Sequence, residues 1–454
     1  MSRERLWFRS ALLPDGPAER VRVEIAAGRI ASVEAGVDPA TGEACGGFAL
    51  PGLPNLHSHA FQRAMAGLAE VRGPAGDSFW TWRELMYRFL DRLDPEALEA
   101  VAAQAFLEML EAGFTRVGEF HYVHHDAAGA PYADPGEMAA RIAAAAEAAG
   151  IGLTLLPVFY AHGGFGGAPP APAQRRFLND LDGYARLLEA SRRAVTDLPG
   201  AVVGVAPHSL RAVAPDELGP VAALADGGPI HIHIAEQVKE VEDCLAWSGR
   251  RPVEWLLDTA ALDRRWCLVH ATHMTPEETT ALARSGAVAG LCPVTEANLG
   301  DGVFPAREFL DAGGAFGVGS DSNVLIDAAE ELRVLEYSQR LTRRARNVLA
   351  QGAGRSTGRD LFETAARGGG QALGAEAAGL APGAPADLVS LDLDAPELAG
   401  RSAEAVLDGW VFAGSKRLVD GVWRAGRKVV SGGRHHRRDE IAARYVRTLE
   451  GLLR

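Results

Sequence analysis

Eight short apolar runs constrain this chain more than any other feature, because longer Ala-, Leu-, Glu- and Arg-rich stretches separate each run from the next. The runs fall at about residues 49–56, 115–120, 152–159, 202–206, 229–234, 266–269, 287–291 and 315–318. Their length and apolar character suit strands buried on both faces, and the intervening stretches carry helical spacing, so the pattern is that of repeated βα units. The polar residues that follow the runs choose between a closed barrel and an open sheet. His57, His59, Glu119, His121, His208, Glu236, His270, Asn298 and Asp321 all stand at or just past a run's C-terminal end, where (β/α)8 barrels build their active sites. A doubly wound open sheet would leave the first and eighth strands far apart.

The two ends of the chain read differently. Short alternating segments at residues 6–8, 21–25 and 30–33 are punctuated by turns at Pro14-Asp15-Gly16 and Gly28. Others recur at 387–393, 406–412 and 417–430, with Asp420-Gly421 as a hairpin signal. The expected architecture is α/β: a (β/α)8 TIM barrel over residues 50–375, a small β-sandwich domain formed jointly by residues 1–49 and 376–436, and a terminal helix over 437–454. Residues 61–93 are too long for a plain connection. Phe79-Trp80-Thr81-Trp82-Arg83 within them suits a helical cover.

Composition narrows the function. A 454-residue chain that is 47% hydrophobic can bury a large core. A formal charge of −13 argues against nucleic-acid binding, which needs a basic face, and favours a small-molecule substrate. There is no apolar run of membrane-spanning length, and the first residues lack the apolar stretch of a signal peptide, so no membrane association and a cytoplasmic location are expected. Cys45, Cys244, Cys267 and Cys292 are widely spaced, which argues against a disulfide framework and against a thiolate metal site. Only three of the 46 basic residues are lysines (Lys239, Lys416 and Lys428).

Four pieces point to a metal. Leu53-Pro54-Asn55-Leu56-His57-Ser58-His59 ends a strand in H-x-H, and side chains two apart on a strand share a face. Ile230-His231-Ile232-His233-Ile234-Ala235-Glu236 adds a third imidazole and, three positions on, a carboxylate able to reach water beside the ion. His231 reads as a hydrogen-bonded residue of the barrel interior. Leu268-Val269-His270 ends the sixth strand, and Gly317-Val318-Gly319-Ser320-Asp321 ends the eighth, which closure brings next to the first. A divalent ion at this end of the barrel is expected, and Zn²⁺ suits such donors. His121, His124 and His125 read as a polar rim.

This ordered set resembles the amidohydrolase superfamily over essentially the whole chain, and its mononuclear deaminase branch in particular. Binuclear members place a carboxylated lysine at strand four; Val202-Val203-Gly204-Val205-Ala206-Pro207-His208 has none, so the resemblance implies one ion, held by His57, His59, His233 and Asp321. Within the branch, several stretches are similar to the family of deiminases that act on N-formimino-L-glutamate. They are Asn55 to Arg63, Phe79 to Arg83, Gly118 to His124, Ala206 to Arg211 and Cys292 to Gly302. The resemblance implies hydrolysis of that substrate to N-formyl-L-glutamate and ammonia in histidine degradation. Glu236 would shuttle the proton, and His270 and Asp321 would orient the nucleophile and stabilise charge. It also implies substrate contacts from Gln62, Arg83, Tyr122, His208 and Arg211, of which Arg83 and Arg211 suit the two carboxylates. Relatives of this architecture suggest a homodimer. Other readings are a purine, pterin or guanidino-acid deaminase on the same scaffold and, more remotely, a non-catalytic assembly protein.

Overall fold

A computed structural model describes residues 4–41, 43–72, 79–376 and 379–454. The chain opens with strands β1 (Glu4–Leu13), β2 (Gly16–Ala26), β3 (Arg29–Glu34) and β4 (Ala44–Pro51). The barrel follows as β5 (Leu53–Ser58), β6 (Phe114–His121), β7 (Gly152–Phe159), β8 (Val202–Val203), β9 (Ala206–Pro207), β10 (Ile230–Ile234), β11 (Trp266–His270), β12 (Val288–Leu291) and β13 (Ala315–Val318). The chain then returns to the outer sheet with β14 (Leu388–Leu391), β15 (Val419–Arg424), β16 (Arg427–Ser431) and β17 (Arg434–His435).

The eight expected runs are all extended, but two are divided: residues 49–51 of the first end β4 in the outer sheet while 53–56 open β5, and the fourth is split into β8 and β9, both paired with β7. The strands pair in parallel as one group from β5 to β9 and another from β10 to β13. Two seams join the groups into a closed barrel. At one, His231 N donates to Val205 O and His233 N to His208 O; at the other, Asp321 N donates to His57 O and His59 N to Asp321 O. The second seam runs through three of the residues expected to hold the ion, because the backbone bonds that close the barrel are made by His57, His59 and Asp321.

Small residues permit this close approach. A Cβ on Gly319 would lie 2.7 Å from both N and O of His57, and one on Gly317 would lie 2.4 Å from a methyl of Leu56. Gly368, in the helix Thr357–Ala372, sits where a Cβ would come 2.0 Å from Phe316 O. Glycine in a helix interior costs about 1 kcal/mol relative to alanine, and here it lets the helix lie directly on β13.

Both ends of the chain build the outer β domain, whose strands hydrogen-bond as one eight-stranded sheet in the order β17-β16-β15-β14-β4-β1-β2-β3. Val21, Val23 and Ile25 alternate inward on β2 and pack with Phe8, Leu388 and Trp423. Two late expectations are corrected. Residues 406–412 form the helix Val406–Ala413 rather than a strand, because their buried side chains, Val406, Leu407, Trp410 and Val411, recur with helical spacing. The hairpin turn lies at Ala425-Gly426, both at positive φ as a two-residue turn requires, while Asp420 and Gly421 lie inside β15. The expected cover exists as the helix Phe79–Leu90, and the terminal helix as Arg438–Leu452. No helix among the described residues is long and apolar enough to cross a membrane.

Candidate active site

The C-terminal ends of β5, β10, β11 and β13 gather the expected residues around one point. His57 Nε2 lies 3.2 Å from His59 Nε2, 3.1 Å from His233 Nε2 and 3.4 Å from Asp321 Oδ1. His59 Nε2 is 3.3 Å from the same carboxylate oxygen. Backbone carbonyls set two of the tautomers: His59 Nδ1–H donates to Phe120 O at 2.9 Å and His233 Nδ1–H to His208 O at 3.1 Å. Their Nε2 lone pairs therefore face His57 together with Asp321. A single proton on His57 can satisfy one of these acceptors, whereas a cation at the centre satisfies all of them. Ligand atoms about 2.1 Å from one ion stand roughly 3.0 Å apart at a right angle and about 3.4 Å apart at the tetrahedral angle. The observed spacings fall in that window, so the donor set fits a small divalent ion.

Charge supports the same conclusion. Burial pushes His57 down to about 3 and holds His59 and His233 below the ordinary histidine value, so all three rings are neutral, the form that binds a metal. For Asp321, burial alone would raise the carboxyl, but the hydrogen bond with His57 and the nearby imidazoles, the cationic His270 among them, outweigh it and hold the group below its usual range. The Cys292 thiol, which approaches His270 and Asp321, is pushed well above its ordinary value by burial and stays protonated.

Two more ionisable groups adjoin this centre. Burial raises the Glu236 carboxyl to about 7 against the pull of His270 and Arg211. His270 behaves oppositely: burial disfavours its cation, yet Glu236, Glu296 and Asp321 together raise it to about 10. Its Nε2 lies 3.8 Å from Glu236 Oε1 and 3.9 Å from Asp321 Oδ2. The backbone is bent to deliver these groups. Ala235, His270, Ala271, Asp321 and Asn323 all have φ between 41° and 68°, a region that costs non-glycine residues roughly 1–2 kcal/mol each. Hydrogen bonds hold the bends: Glu240 accepts from the N–H groups of Ala235 and Glu236, and Asn323 Nδ2 donates to Ser58 Oγ, His59 O and Asp321 O.

A cavity opens onto Asp321, Glu236 and His270, and every expected substrate contact lines it: Gln62, Arg83, Tyr122, His208 and Arg211. Arg83 and Arg211 come from different elements and flank one aromatic ring, with guanidinium carbons 4.6 and 5.8 Å from the centre of Trp80. Among the described residues neither forms an ion pair, and Arg211 Nε is buried without a partner. The Gln62 amide donates to Tyr122 Oη at 2.9 Å, leaving its Oε1 buried and unpaired. Asn298 does not join the group, because its strand-end position is in fact on the helix Pro293–Leu299 and its amide is turned to Glu70. His231 is an interior residue bonded to Ala372 O, and His124 and His125 are bonded to the carbonyls of Val158 and Leu178. Sequence reasoning missed Tyr87, Tyr160 and Phe177 on the cavity wall, which come from separate segments, and Glu296, which touches His270.

A closed barrel carrying inward-facing histidines at the ends of β5, β10 and β11 and a carboxylate just past β13 defines the class. The chain belongs to the amidohydrolase family, whose model matches residues 48–429. Residues 6–47 match the N-terminal domain of formimidoylglutamate deiminase HutF. The formimidoylglutamate deiminase of Pseudomonas aeruginosa is 55% identical over 445 residues, 98% of each chain. Among solved structures, an amidohydrolase from Brucella melitensis is 58% identical, with a TM-score of 0.96 over 99% of this chain and all of that one. An adenosine deaminase from Xanthomonas campestris with bound zinc is 22% identical, with a TM-score of 0.81 over 99% and 98% of the two chains, and shares the fold. Family and donor set together support a divalent metal at this centre.

Proposed function

We propose that this chain hydrolyses N-formimino-L-glutamate to N-formyl-L-glutamate and ammonia, a step of histidine degradation, in the cytoplasm and with one Zn²⁺ held by His57, His59, His233 and Asp321. When bound, the ion supplies Lewis acidity that brings water towards ionisation near neutral pH. Glu236 takes the proton from the water that attacks the formimino carbon and passes it to the departing nitrogen, a double role that suits a carboxyl raised to about 7. His270, held cationic, is a fixed positive donor for the charge that develops at the tetrahedral carbon. Asp321, facing both His57 and His270, orients the attacking water.

The observation that carries the substrate assignment is a pair of guanidinium groups, Arg83 and Arg211, without an ion-pair partner among the described residues and on the wall of the same cavity. In a chain of net charge −13, such a pair is suited to a dicarboxylate. Purines and simple guanidino compounds carry no second carboxylate for it. Gln62 Oε1 is free to accept from a substrate N–H, with Tyr122 and His208 beside it. The relative from Pseudomonas aeruginosa supports the same choice by its name. The test is ammonia release from N-formimino-L-glutamate measured beside guanine and a guanidino acid. Turnover of the first alone is expected; turnover of either competitor with none of the first would overturn the assignment.

A further inference from the structure

We propose that Glu296 is a positioning residue for the reaction: its carboxylate holds His270 by Nδ1–H and aims Nε2–H at the reacting centre. The inference deepens the function proposed above and rests on it. Glu296 lies in the first turn of the helix Pro293–Leu299, directly after β12, and is almost fully buried. Its Oε1 receives two donors, the backbone N–H of Cys292 at 2.9 Å and His270 Nδ1–H at 3.3 Å. The first bond ties the carboxylate to the strand end, so the second fixes the imidazole with little freedom of rotation. On the other side of the ring, Nε2 faces Glu236 Oε1 and Asp321 Oδ2, both acceptors. His270 is therefore enclosed by carboxylates, each of which calls for a proton on the nitrogen it faces.

The geometry also explains a buried charge with no other use. Glu296 makes no ion pair other than that with His270 among the described residues, and an uncompensated buried carboxylate would be costly. His270 itself stands at φ +68°, a conformation that needs restraint. Removing the acceptor would free the ring to turn and would allow the tautomer that carries no proton on one nitrogen.

Glu296→Gln is the informative variant: its amide oxygen can still accept from Cys292 N–H and, being the same atom, from His270 Nδ1–H, but the negative charge that makes the second bond strong is lost and the hold on the ring is weakened. In the metal-loaded enzyme acting on N-formimino-L-glutamate, kcat should fall on the order of 10- to 100-fold, the usual consequence of removing such a supporting group. KM should change by less than about threefold, because Glu296 is not a substrate contact, and Glu296→Asp should recover part of the lost kcat. Full kcat in Glu296→Gln, or a loss confined to KM, overturns the proposal. A second readout does not depend on turnover or on how Glu296→Gln folds. In ¹⁵N-histidine NMR of the wild-type holoenzyme, with His270 assigned by difference from His270→Asn, Nδ1 must carry a proton. A bare Nδ1 overturns the inference even if the enzyme is active, whereas a protonated Nδ1 in an enzyme with no activity on this substrate would sink the substrate assignment and leave the positioning geometry standing.

Discussion

Glu236→Gln should separate catalysis from stability, because the wild-type carboxyl is stored at a cost to the fold. In the metal-free protein, burial moves it from its ordinary 4.5 to about 7, which corresponds to on the order of 3 kcal/mol of destabilisation when the group is ionised. Below about pH 4.5 the carboxyl is protonated in both the folded and unfolded chain, and no penalty exists. Between 4.5 and 7 the unfolded chain ionises first, so the penalty grows; above about 7 it is complete. Glutamine carries no charge at any of these values. The variant should therefore match wild type at about pH 4 and be more stable at about pH 8, by up to about 3 kcal/mol, in urea unfolding of chelator-treated protein followed by circular dichroism. In the metal-loaded protein the gain should shrink, since the cation itself favours the carboxylate. Turnover should drop by about 10²- to 10⁴-fold, the range expected when a positioned proton-transfer group is lost. A variant that keeps more than about a tenth of wild-type kcat, or that is no more stable at about pH 8 than wild type, would refute this account of Glu236.

The other predictions concern the cavity and the ion. Arg211→Met should raise KM for N-formimino-L-glutamate by roughly 10- to 150-fold, equivalent to about 1.5–3 kcal/mol for a charged hydrogen bond, and steady-state kinetics with an unchanged KM would remove Arg211 from the site. Dialysis against a chelator should abolish ammonia release, and one equivalent of Zn²⁺ per chain should restore it; full activity in protein shown by elemental analysis to be metal-free would exclude the centre. Rebinding of the ion should weaken as pH falls through the range where the site histidines protonate, because only neutral rings bind it. Gly319→Ala places a Cβ against the His57 backbone and should lower the metal content of the folded protein well below one per chain; wild-type stoichiometry would show that the seam can yield.

Legibility followed geometry. A ligand at the end of a strand announces itself, because burying a histidine or an aspartate at the close of an apolar run is costly unless the side chain meets an ion or a polar partner there; His57, His59, His233, His270 and Asp321 stand out on that basis. The order of the strands then follows from closure, which makes neighbours of His59 and Asp321 although they lie far apart in the chain. Residues 406–412 defeat the same logic, since a short apolar segment fits a strand or a helix until its partners decide between them. The Ala425-Gly426 turn is hidden because alanine rarely adopts positive φ, while Asp420-Gly421 carries the more familiar turn composition.

Glu296 shows where reading by position stops. It sits in the stretch Cys292 to Gly302 that carries part of the family resemblance, yet no spacing rule connects it to His270, because the two lie on successive βα units and meet through a helix start rather than along a strand. The same holds for Tyr87, Tyr160 and Phe177, which reach one cavity from three separate segments. The candidate ligands come from strand ends, whose direction the barrel fixes; the groups that restrain the residues around them come from the loops and helix starts behind them. Only the packed molecule relates one set to the other, so the chemistry of the centre can be inferred from sequence, whereas the restraint on His270 that makes that chemistry efficient requires the structure.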